Sequence, residues 1–279
     1  MQKIHKNRLV CALMALSLLL MLQSATAQVI FKADFESGSG TNDVSKWVPE
    51  NAGMKWEVAD FPGSGKGLKQ TVEGCANSGN TPLPGVTNFT DGIIQFDMSW
   101  GDDDSWGAVL RQTAPDKGYV ITFGYIETPA VIIALLDKGC GKVGMCNDQT
   151  LCENNPANTL NQTPHTLAAD PATLTRDNSV AYLGRIEAKG DTIRVWYKAR
   201  ADVPNPLAPD LGKPLVEIKD GTHKSGSVGI WHESQGGSEI DNVWVFGPSG
   251  IVAVEPQGKL ATSWGSMSSL RASDFLCGF

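Results

Sequence analysis

Residues 92–100 read GIIQFDMSW, and this stretch decides the fold class. From Ile94 to Trp100 every second side chain is apolar, and the side chains between them are polar. A period of two is the pattern of a β-strand that buries one face. The stretch therefore predicts a strand with one face in a hydrophobic core.

The same alternation recurs along most of the chain, and helical periodicity is nearly absent after residue 27. Residues 192–198 alternate in the same way, whereas 120–125 and 131–136 read as buried strands, the latter apolar on both faces. Turn residues such as Gly190 and Gly221 separate the strands. Short strands joined by such turns predict an all-β fold, a two-sheet antiparallel jelly-roll sandwich. The other predicted strands are 29–35, 55–59, 68–72, 108–112, 181–188, 215–219, 227–232 and 240–246.

The first 27 residues predict a cleavable export signal. Lys3, Lys6 and Arg8 form a basic head, residues 9–22 are almost wholly apolar, and 25–27 supply the small residues that a signal peptidase accepts. The apolar run is shorter than the roughly 20 residues that a membrane span requires. We therefore expect cleavage after Ala27 and a secreted or extracytoplasmic protein that is not integral to a membrane.

Two regions interrupt the strand pattern. Residues 137–179 form a long polar insertion with three cysteines, and a connection of this length in a compact domain is typically functional or cross-linked. Residues 248–279 begin with Pro-Ser-Gly and are rich in Ser and Gly. We therefore divide the chain into a signal peptide at 1–27, a β-sandwich at 28–247 and a weakly ordered tail at 248–279.

The charge of the chain restricts its partners. Removal of three basic residues with the signal takes the formal net charge from −7 to −10. Nucleic acids and anionic membranes both favour a basic surface, so neither is an expected partner. The acidic balance is compatible with cations and with neutral ligands.

Five cysteines remain after cleavage of the signal. Export favours their pairing as disulfides, and an odd number leaves at least one thiol over. We expect at least one bridge within the insertion or from it to Cys75, and we expect Cys277 to be the free thiol. The residues expected to pair are Cys75, Cys140, Cys146 and Cys152.

Several short motifs resemble the concanavalin A-like lectin/glucanase superfamily. The run DDDSWGAVLR at 102–111, followed by GYV at 118–120, is similar to the laminin-G-like and thrombospondin C-terminal-like branches. The opening FKADFE at 31–36 and the close GSVGIW and IDNVWV, at 226–231 and 240–245, resemble these modules and the 3-keto-disaccharide hydrolase-like domains. The resemblance implies a jelly-roll sandwich, and its short motifs do not specify a reaction.

The resemblance also implies calcium. In modules of this kind an acidic residue near the first strand and an aspartate of the last strand often share a structural Ca²⁺, which takes several oxygen ligands. Asp34, Glu36 and Asp241 match that pattern, and the alternative is that they cap local turns. The resemblance to thrombospondin-like modules also favours Ca²⁺ at a run of three aspartates, and the alternative is a solvated hairpin tip. That run consists of Asp102, Asp103 and Asp104.

The sequence predicts no catalytic residues. Glu239-Ile240-Asp241 superficially resembles the E-x-D-x-x-E strand of family 16 glycoside hydrolases, which work with paired carboxylates. Trp244 stands where the last glutamate of that motif would be. No G-x-S-x-G or H-E-x-x-H motif occurs either.

Aromatic and polar residues near strand ends predict a ligand surface. A sugar ring stacks an apolar face on indole while its hydroxyls need polar partners. Most tryptophans of a sandwich lie in its core, which is the alternative for Trp106 and Trp231. The predicted ligand-binding residues are Trp106, Arg111, Tyr125, Trp231, His232 and Glu233.

These patterns together favour an extracytoplasmic module that binds carbohydrate or another surface ligand without catalysis. One alternative is a glycoside-directed hydrolase or lyase of the 3-keto-disaccharide hydrolase-like type, and another is a structural or adhesive surface domain. Carboxylates gathered in a groove would favour the enzyme, tryptophans in a groove the binder, and a flat polar face the structural domain.

Overall fold

Strands make up almost all of the regular structure. The computed structural model describes residues 28–63, 65–74, 77, 79–102, 105–115, 117–124, 131–136, 166–170, 177, 179–234 and 236–251, with the backbone alone for 166–170 and 233. The described part has no α-helix, and so no helix that could cross a membrane. Its strands are β1 (Val29–Ala33), β2 (Trp56–Asp60), β3 (Lys66–Gln70), β4 (Gly79–Pro82), β5 (Gly92–Ser99), β6 (Ser105–Ala114), β7 (Lys117–Gly124), β8 (Val131–Leu135), β9 (Thr166–Asp170), β10 (Tyr182–Lys189), β11 (Thr192–Ala199), β12 (Val216–Lys219), β13 (Ser227–Glu233) and β14 (Glu239–Phe246).

The strands form two antiparallel sheets. The eight-stranded sheet has the order β12-β11-β10-β5-β14-β3-β2, and β1 also pairs with β14. The six-stranded sheet has the order β4-β13-β6-β7-β8-β9. Strands that are distant in sequence, such as β5, β10 and β14, are neighbours, as in a jelly roll. The predicted two-sheet antiparallel jelly-roll sandwich is confirmed.

The main hydrophobic core contains side chains from both sheets. Ile94, Phe96 and Met98 of β5 belong to it, as the alternation predicts, and the six-stranded sheet contributes Ile121 and Ile230. Burial of one such side chain stabilises the fold by about 1.5–3 kcal/mol. A slip of one residue would turn the whole set outward, so the core also fixes the register of β5.

Two strands, β4 and β9, are not predicted by the sequence pattern. β4 reads GNTP, and Gly, Asn and Pro are all depleted in strands. It nevertheless adds to the edge of the six-stranded sheet, where Asn80 lies opposite Trp231, and an edge position tolerates Pro82. β9 falls inside the insertion and pairs with β8. Tertiary pairing, rather than local propensity, forms both strands.

A buried arginine fastens a loop to the outer face of the eight-stranded sheet. Arg185 of β10 donates to Gln95 Oε1 at 2.7 Å, to Pro206 O at 2.7 Å and to Ala208 O at 2.8 Å. Burial lowers the pKa of its guanidinium to about 10, so it is charged at neutral pH. The guanidinium of Arg185 therefore donates hydrogen bonds to two backbone carbonyls of the loop, those of Pro206 and Ala208.

Candidate functional site

The outer face of the six-stranded sheet, on the side away from the main core, is apolar and buried. One cluster there contains Val109 of β6, Val120 of β7, Ile132 of β8 and Trp231 of β13, whereas most of their neighbours in sequence belong to the main core. Because side chains alternate between faces, these central strands are buried on both sides. The prediction that 131–136 is apolar on both faces is confirmed.

Three polar atoms on this face have no hydrogen-bond partner in the described part of the chain: Asn80 Oδ1, Trp231 Nε1 and Thr122 Oγ1. Each of these residues is 1% exposed. The strand register puts Asn80 opposite Trp231, Trp231 opposite Gly107, and Gly107 opposite Thr122. They thus form one line across β4, β13, β6 and β7, which we call the polar row. An unsatisfied buried polar group costs about 1–3 kcal/mol, so this concentration requires a cause.

Two glycines shape the surface around the polar row. A Cβ on Gly229 would lie 2.0 Å from Asn80 Oδ1, so the amide of Asn80 rests directly against the bare backbone of β13. A Cβ on Gly107 would lie 2.0 Å from the carbonyl oxygen of Ile121. Gly107 therefore places no side chain of its own between Trp231 and Thr122.

A chain of hydrogen bonds leads from the polar row to an acidic side chain. Asn80 Nδ2 donates to Gln112 Oε1 at 2.8 Å, and Gln112 Nε2 donates to Glu50 Oε2 at 3.3 Å. The backbone N–H of Glu50 also donates to Asn80 O at 2.9 Å, which holds the segment before β2 against β4. Partial burial raises the pKa of the Glu50 carboxyl, against the lowering effect of hydrogen bonds from Gln112 and Asn80.

The chemistry of the polar row is neutral. The indole N–H of Trp231 can only donate, the Asn80 carbonyl oxygen can only accept, and the Thr122 hydroxyl can do both. Beside them lie the apolar side chains of Val109 and Val120. The face can therefore offer apolar contact together with hydrogen bonds in both directions.

The structure buries both tryptophans that the sequence predicts as stacking platforms. Trp106 faces the main core at 0% exposure, and Trp231 faces outward at 1% exposure. Since β13 and β6 pair in register and side chains alternate, the two indoles fall on opposite faces of the sheet. His232 is also fully buried, with its ring 6.1 Å from that of Trp56. None of these rings presents a face to solvent.

The guanidinium of Arg111 is engaged in hydrogen bonds within the protein. It is buried within an irregular stretch of β6, at a φ of 52°. Its guanidinium donates to Thr90 O, Asp91 Oδ1, Gly190 O and His223 O at 2.8–3.1 Å. Since four of its five N–H groups are engaged in this way, Arg111 ties three loops to the sheet.

The remaining predictions for this region fall outside what the structure describes. Glu233 lies in β13 opposite Ser105, with its backbone alone described. The other predicted positions outside the described residues are Tyr125, Asp103, Asp104, Cys75, Cys140, Cys146, Cys152, Cys277 and the whole signal peptide.

Asp241 is a buried carboxylate on the outer face of the eight-stranded sheet. It lies opposite Asp97 in the neighbouring strand, and its two oxygens accept from the backbone N and from Nδ2 of Asn242 at 2.6 and 2.9 Å. Arg200 pairs with Asp97, at 3.3 Å, and no described ion pair involves Asp241. Burial raises the pKa of Asp241 to about 7, and the charge of Asp97 adds to this.

The other predicted calcium ligands do not assemble a cage with Asp241. Asp34 forms an ion pair with Lys32 at 2.7 Å, and Glu36 accepts from the backbone N of Lys66 at 2.9 Å. Asp102 follows β5 and is half-buried. Among the described side chains no group of three or more His, Cys, Asp or Glu could hold a metal ion. No assembled ligand set is seen among the described residues, so calcium binding at these positions stays a prediction.

Sequence reasoning missed the residues that form the polar row and its hydrogen-bond chain, apart from Trp231. One signal was available, because Thr122 is the only side chain with a hydrogen-bonding group in the buried VITF stretch of β7. Asn80 gave no such signal, since β4 was itself not predicted. Glu50 and Gln112 join the site through contacts that only the folded chain creates.

The chain is similar to several solved structures. The chain is similar to the carbohydrate-binding module CBM66 from Bacillus subtilis, with 11% identity over 70% of this chain and 95% of the module, and a TM-score of 0.43. It is similar to galectin LEC-6 from Caenorhabditis elegans, with 13% identity over 62% and 93% of the two chains and a TM-score of 0.34. A GlcNAcα1-4Gal-releasing endo-β-galactosidase from Clostridium perfringens gives 12% identity, 81% and 64% coverage and a TM-score of 0.44.

No protein-family model matches the chain, and no curated protein matches it. At identities and TM-scores this low, the structural neighbours carry no argument about ligand or reaction. The case for function rests on the polar row and the residues around it.

Proposed function

We propose that this protein binds a neutral carbohydrate on the outer face of the six-stranded sheet and does not transform it. The observation that carries the proposal is the polar row, in which Asn80, Trp231 and Thr122 keep three hydrogen-bonding atoms unpartnered. A protein that only needed this face for packing would be more stable with apolar side chains there. The row therefore has the composition expected of a ligand site.

Sugar chemistry matches the face. A pyranose has apolar C–H patches and hydroxyl groups that both donate and accept hydrogen bonds. The apolar side chains of Val109 and Val120 suit the former, and the mixed donors and acceptors of the row suit the latter. Ligand pockets are typically apolar with a few fixed polar groups, which is the composition found here.

The hydrogen-bond network favours binding over hydrolysis. Glycoside hydrolases work with two carboxyl groups on either side of the scissile bond. Glu50 is the single carboxylate of the network formed with Gln112 and Asn80. Calcium is not part of the proposal, because the described acidic side chains do not form a cage for it.

Access to the row determines the kinetics. Asn80, Trp231 and Thr122 are closed to solvent in this structure, so entry of a sugar requires a local opening. Association that depends on a conformational change is slower than the usual 10⁵–10⁷ M⁻¹s⁻¹, roughly the range for preformed protein surfaces. A slow on-rate is therefore expected.

A pair of tryptophan substitutions tests the proposal. Trp231→Phe removes an unpartnered N–H from the polar row, and Trp106→Phe removes an unpartnered N–H from the core side of the same sheet. We expect a glycan array probed with residues 28–279 to show binding to neutral glycans. Calorimetry with the best array glycan should then show about tenfold weaker binding for Trp231→Phe, equivalent to about 1.4 kcal/mol, and no change for Trp106→Phe.

The outcomes separate binding from hydrolysis. Absence of any glycan binding, or equal losses for the two variants, would contradict the proposal. New reducing ends appearing when the protein is incubated with neutral oligosaccharides would favour the hydrolase alternative. Thermal melts of both variants control for stability, since each loses a similar amount of buried aromatic surface.

A further inference from the structure

The side-chain amide of Asn80 can point either its oxygen or its nitrogen toward the polar row. In the structure the oxygen points there. Its Nδ2 donates to Gln112 Oε1 at 2.8 Å, which leaves Oδ1 as the unpartnered atom. Rotation of the amide by half a turn would instead present two N–H donors. The row would then require an acceptor from a ligand where it now requires a donor.

Glu50 determines which amide atom of Asn80 points toward the polar row. An ionised carboxylate can only accept hydrogen bonds, so Gln112 must turn its Nε2 toward Glu50, as it does at 3.3 Å. Gln112 then has only Oε1 to offer on its other side, and Asn80 must turn its Nδ2 toward that oxygen. The negative charge of Glu50 therefore sets the direction of both hydrogen bonds, from Gln112 to Glu50 and from Asn80 to Gln112.

We propose that Glu50 is a positioning residue that fixes the hydrogen-bond polarity of the polar row. The inference rests on the proposed function and names the ligand class more closely. A ligand must bring a hydroxyl or N–H donor to Asn80 Oδ1 and an acceptor to Trp231 Nε1. Neutral glycans with free hydroxyls meet both demands, whereas a sulfate or carboxylate at the Asn80 position offers acceptors only and is repelled.

The first test reads the orientation of Asn80 without any ligand. In the wild-type protein the Nδ2 protons of Asn80 face Gln112, so their NMR cross-peaks should run to the Gln112 side chain. In Glu50→Gln the new amide can donate to Gln112 Oε1, which lets both amides reverse. Cross-peaks from Asn80 Nδ2 to the α-protons of Gly229 should then appear, because Asn80 rests against that residue.

Two further variants control this measurement. Glu50→Asp keeps an acceptor-only group and should retain the wild-type pattern. Glu57→Gln removes an exposed carboxylate from β2, at the edge of the other sheet, and should change nothing at Asn80. Glu50→Lys places a donor-only group at this position, so an unchanged pattern in that variant overturns the inference.

The second test uses the methyl glycosides of glucose, galactose and mannose with their monodeoxy and monofluoro analogues. A fluorine accepts weakly and cannot donate, so at the hydroxyl that meets Asn80 both replacements should weaken wild-type binding by about tenfold. In Glu50→Gln the fluoro analogue should recover most of that loss and the deoxy analogue should not. The same analogue pattern in both proteins overturns the inference and leaves the proposed function intact. Reversed cross-peaks with no binding of any glycoside would uphold the role of Glu50 and overturn the proposed function.

Discussion

The outer faces of the two sheets treat buried polar groups in opposite ways. On the eight-stranded sheet Arg185 is fully buried, and its guanidinium meets one side-chain oxygen and two loop carbonyls. On the six-stranded sheet Asn80, Trp231 and Thr122 are equally buried, and each retains an atom without a partner. Burial alone therefore does not distinguish a structural polar group from a functional one.

The two sheets differ in whether each buried polar group has its hydrogen-bond partners within the protein. The Arg185 arrangement is complete, so any external group would have to displace an internal partner. The polar row is incomplete, so an external group that supplies the missing partners binds without displacing any. A free energy of about 1–3 kcal/mol per unsatisfied group is then recovered on binding rather than on folding.

Removal of the complete arrangement has the largest expected effect. Arg185→Leu strips donors from Gln95 and from the carbonyls of Pro206 and Ala208, which stay buried, and should lower the free energy of unfolding by about 3–5 kcal/mol. Denaturant titration measures this loss. Arg194→Leu, which breaks two partly exposed ion pairs, should cost less than about 1 kcal/mol. Similar losses for the two variants would show that Arg185 does not fasten the loop.

Asp241 is a buried acid on the eight-stranded sheet, and its titration should make the stability of the protein depend on pH. Its pKa is raised to about 7 in the folded protein, so the protonated form is favoured by folding. The stabilisation that comes from protonating Asp241 is complete below the pKa of this residue in the unfolded chain. It is lost as the pH rises through about 7. Wild-type protein should lose about 2–3 kcal/mol more than Asp241→Asn between about pH 5 and pH 8.

Melting curves of both proteins across this range check the titration of Asp241. Asp202→Asn, at an exposed position, controls for the loss of one charge. Parallel curves for wild type and Asp241→Asn would contradict the assignment. The same melts with added Ca²⁺ or chelator test the calcium prediction, since a bound ion would stabilise the protein at high pH and flatten the curve.

Gly229→Ala tests whether the surface of the polar row must be bare. The added methyl would lie 2.0 Å from Asn80 Oδ1 and displace the amide. Overpacking of this kind costs about 1–3 kcal/mol, and glycan binding should be lost altogether. Gly190→Ala is a control in open space, although its φ of 58° carries a strain of its own. Retention of full affinity by Gly229→Ala would place the ligand elsewhere.

The smallest expected effect is a gain in stability, from a substitution of Thr122. Thr122→Val removes an unpartnered hydroxyl and keeps the shape of the side chain, so it should stabilise the protein by about 1 kcal/mol while weakening glycan binding. Thr81→Val on β4 is the matched control. Thr81 accepts a hydrogen bond from Trp56 Nε1 at 2.9 Å, so its loss should destabilise by about 1 kcal/mol. Melting temperatures of the two variants that move in the same direction would contradict the distinction.

The sequence predicted the sandwich because alternation is a local signal. Residues 92–100 and 192–198 each carry the period of two that a half-buried strand requires, and both are strands of the eight-stranded sheet. β4 and β9 lack that signal, since their positions depend on partners far away in sequence. The sequence could therefore show the layers of the fold but not the full edge of the six-stranded sheet.

The candidate site was harder to predict for the same reason. Trp106 and Trp231 were recognised as aromatic, but their orientation depends on which face of the sheet each one occupies. Asn80 stands on a strand with no pattern, and Glu50 acts through Gln112 from a separate segment. A site assembled from single residues on five segments leaves no spaced motif in the sequence.

The position of β14 has a consequence for the order in which the chain can fold. β14 lies near the centre of the eight-stranded sheet, paired with β5, β3 and β1, yet it is the last strand of the described chain. A chain that emerges from its amino terminus cannot close this sheet until residue 246 has emerged. Long-range pairing of this kind slows folding, because the loop must close before any contact is gained. The domain thus assembles after synthesis of its last strand rather than during it.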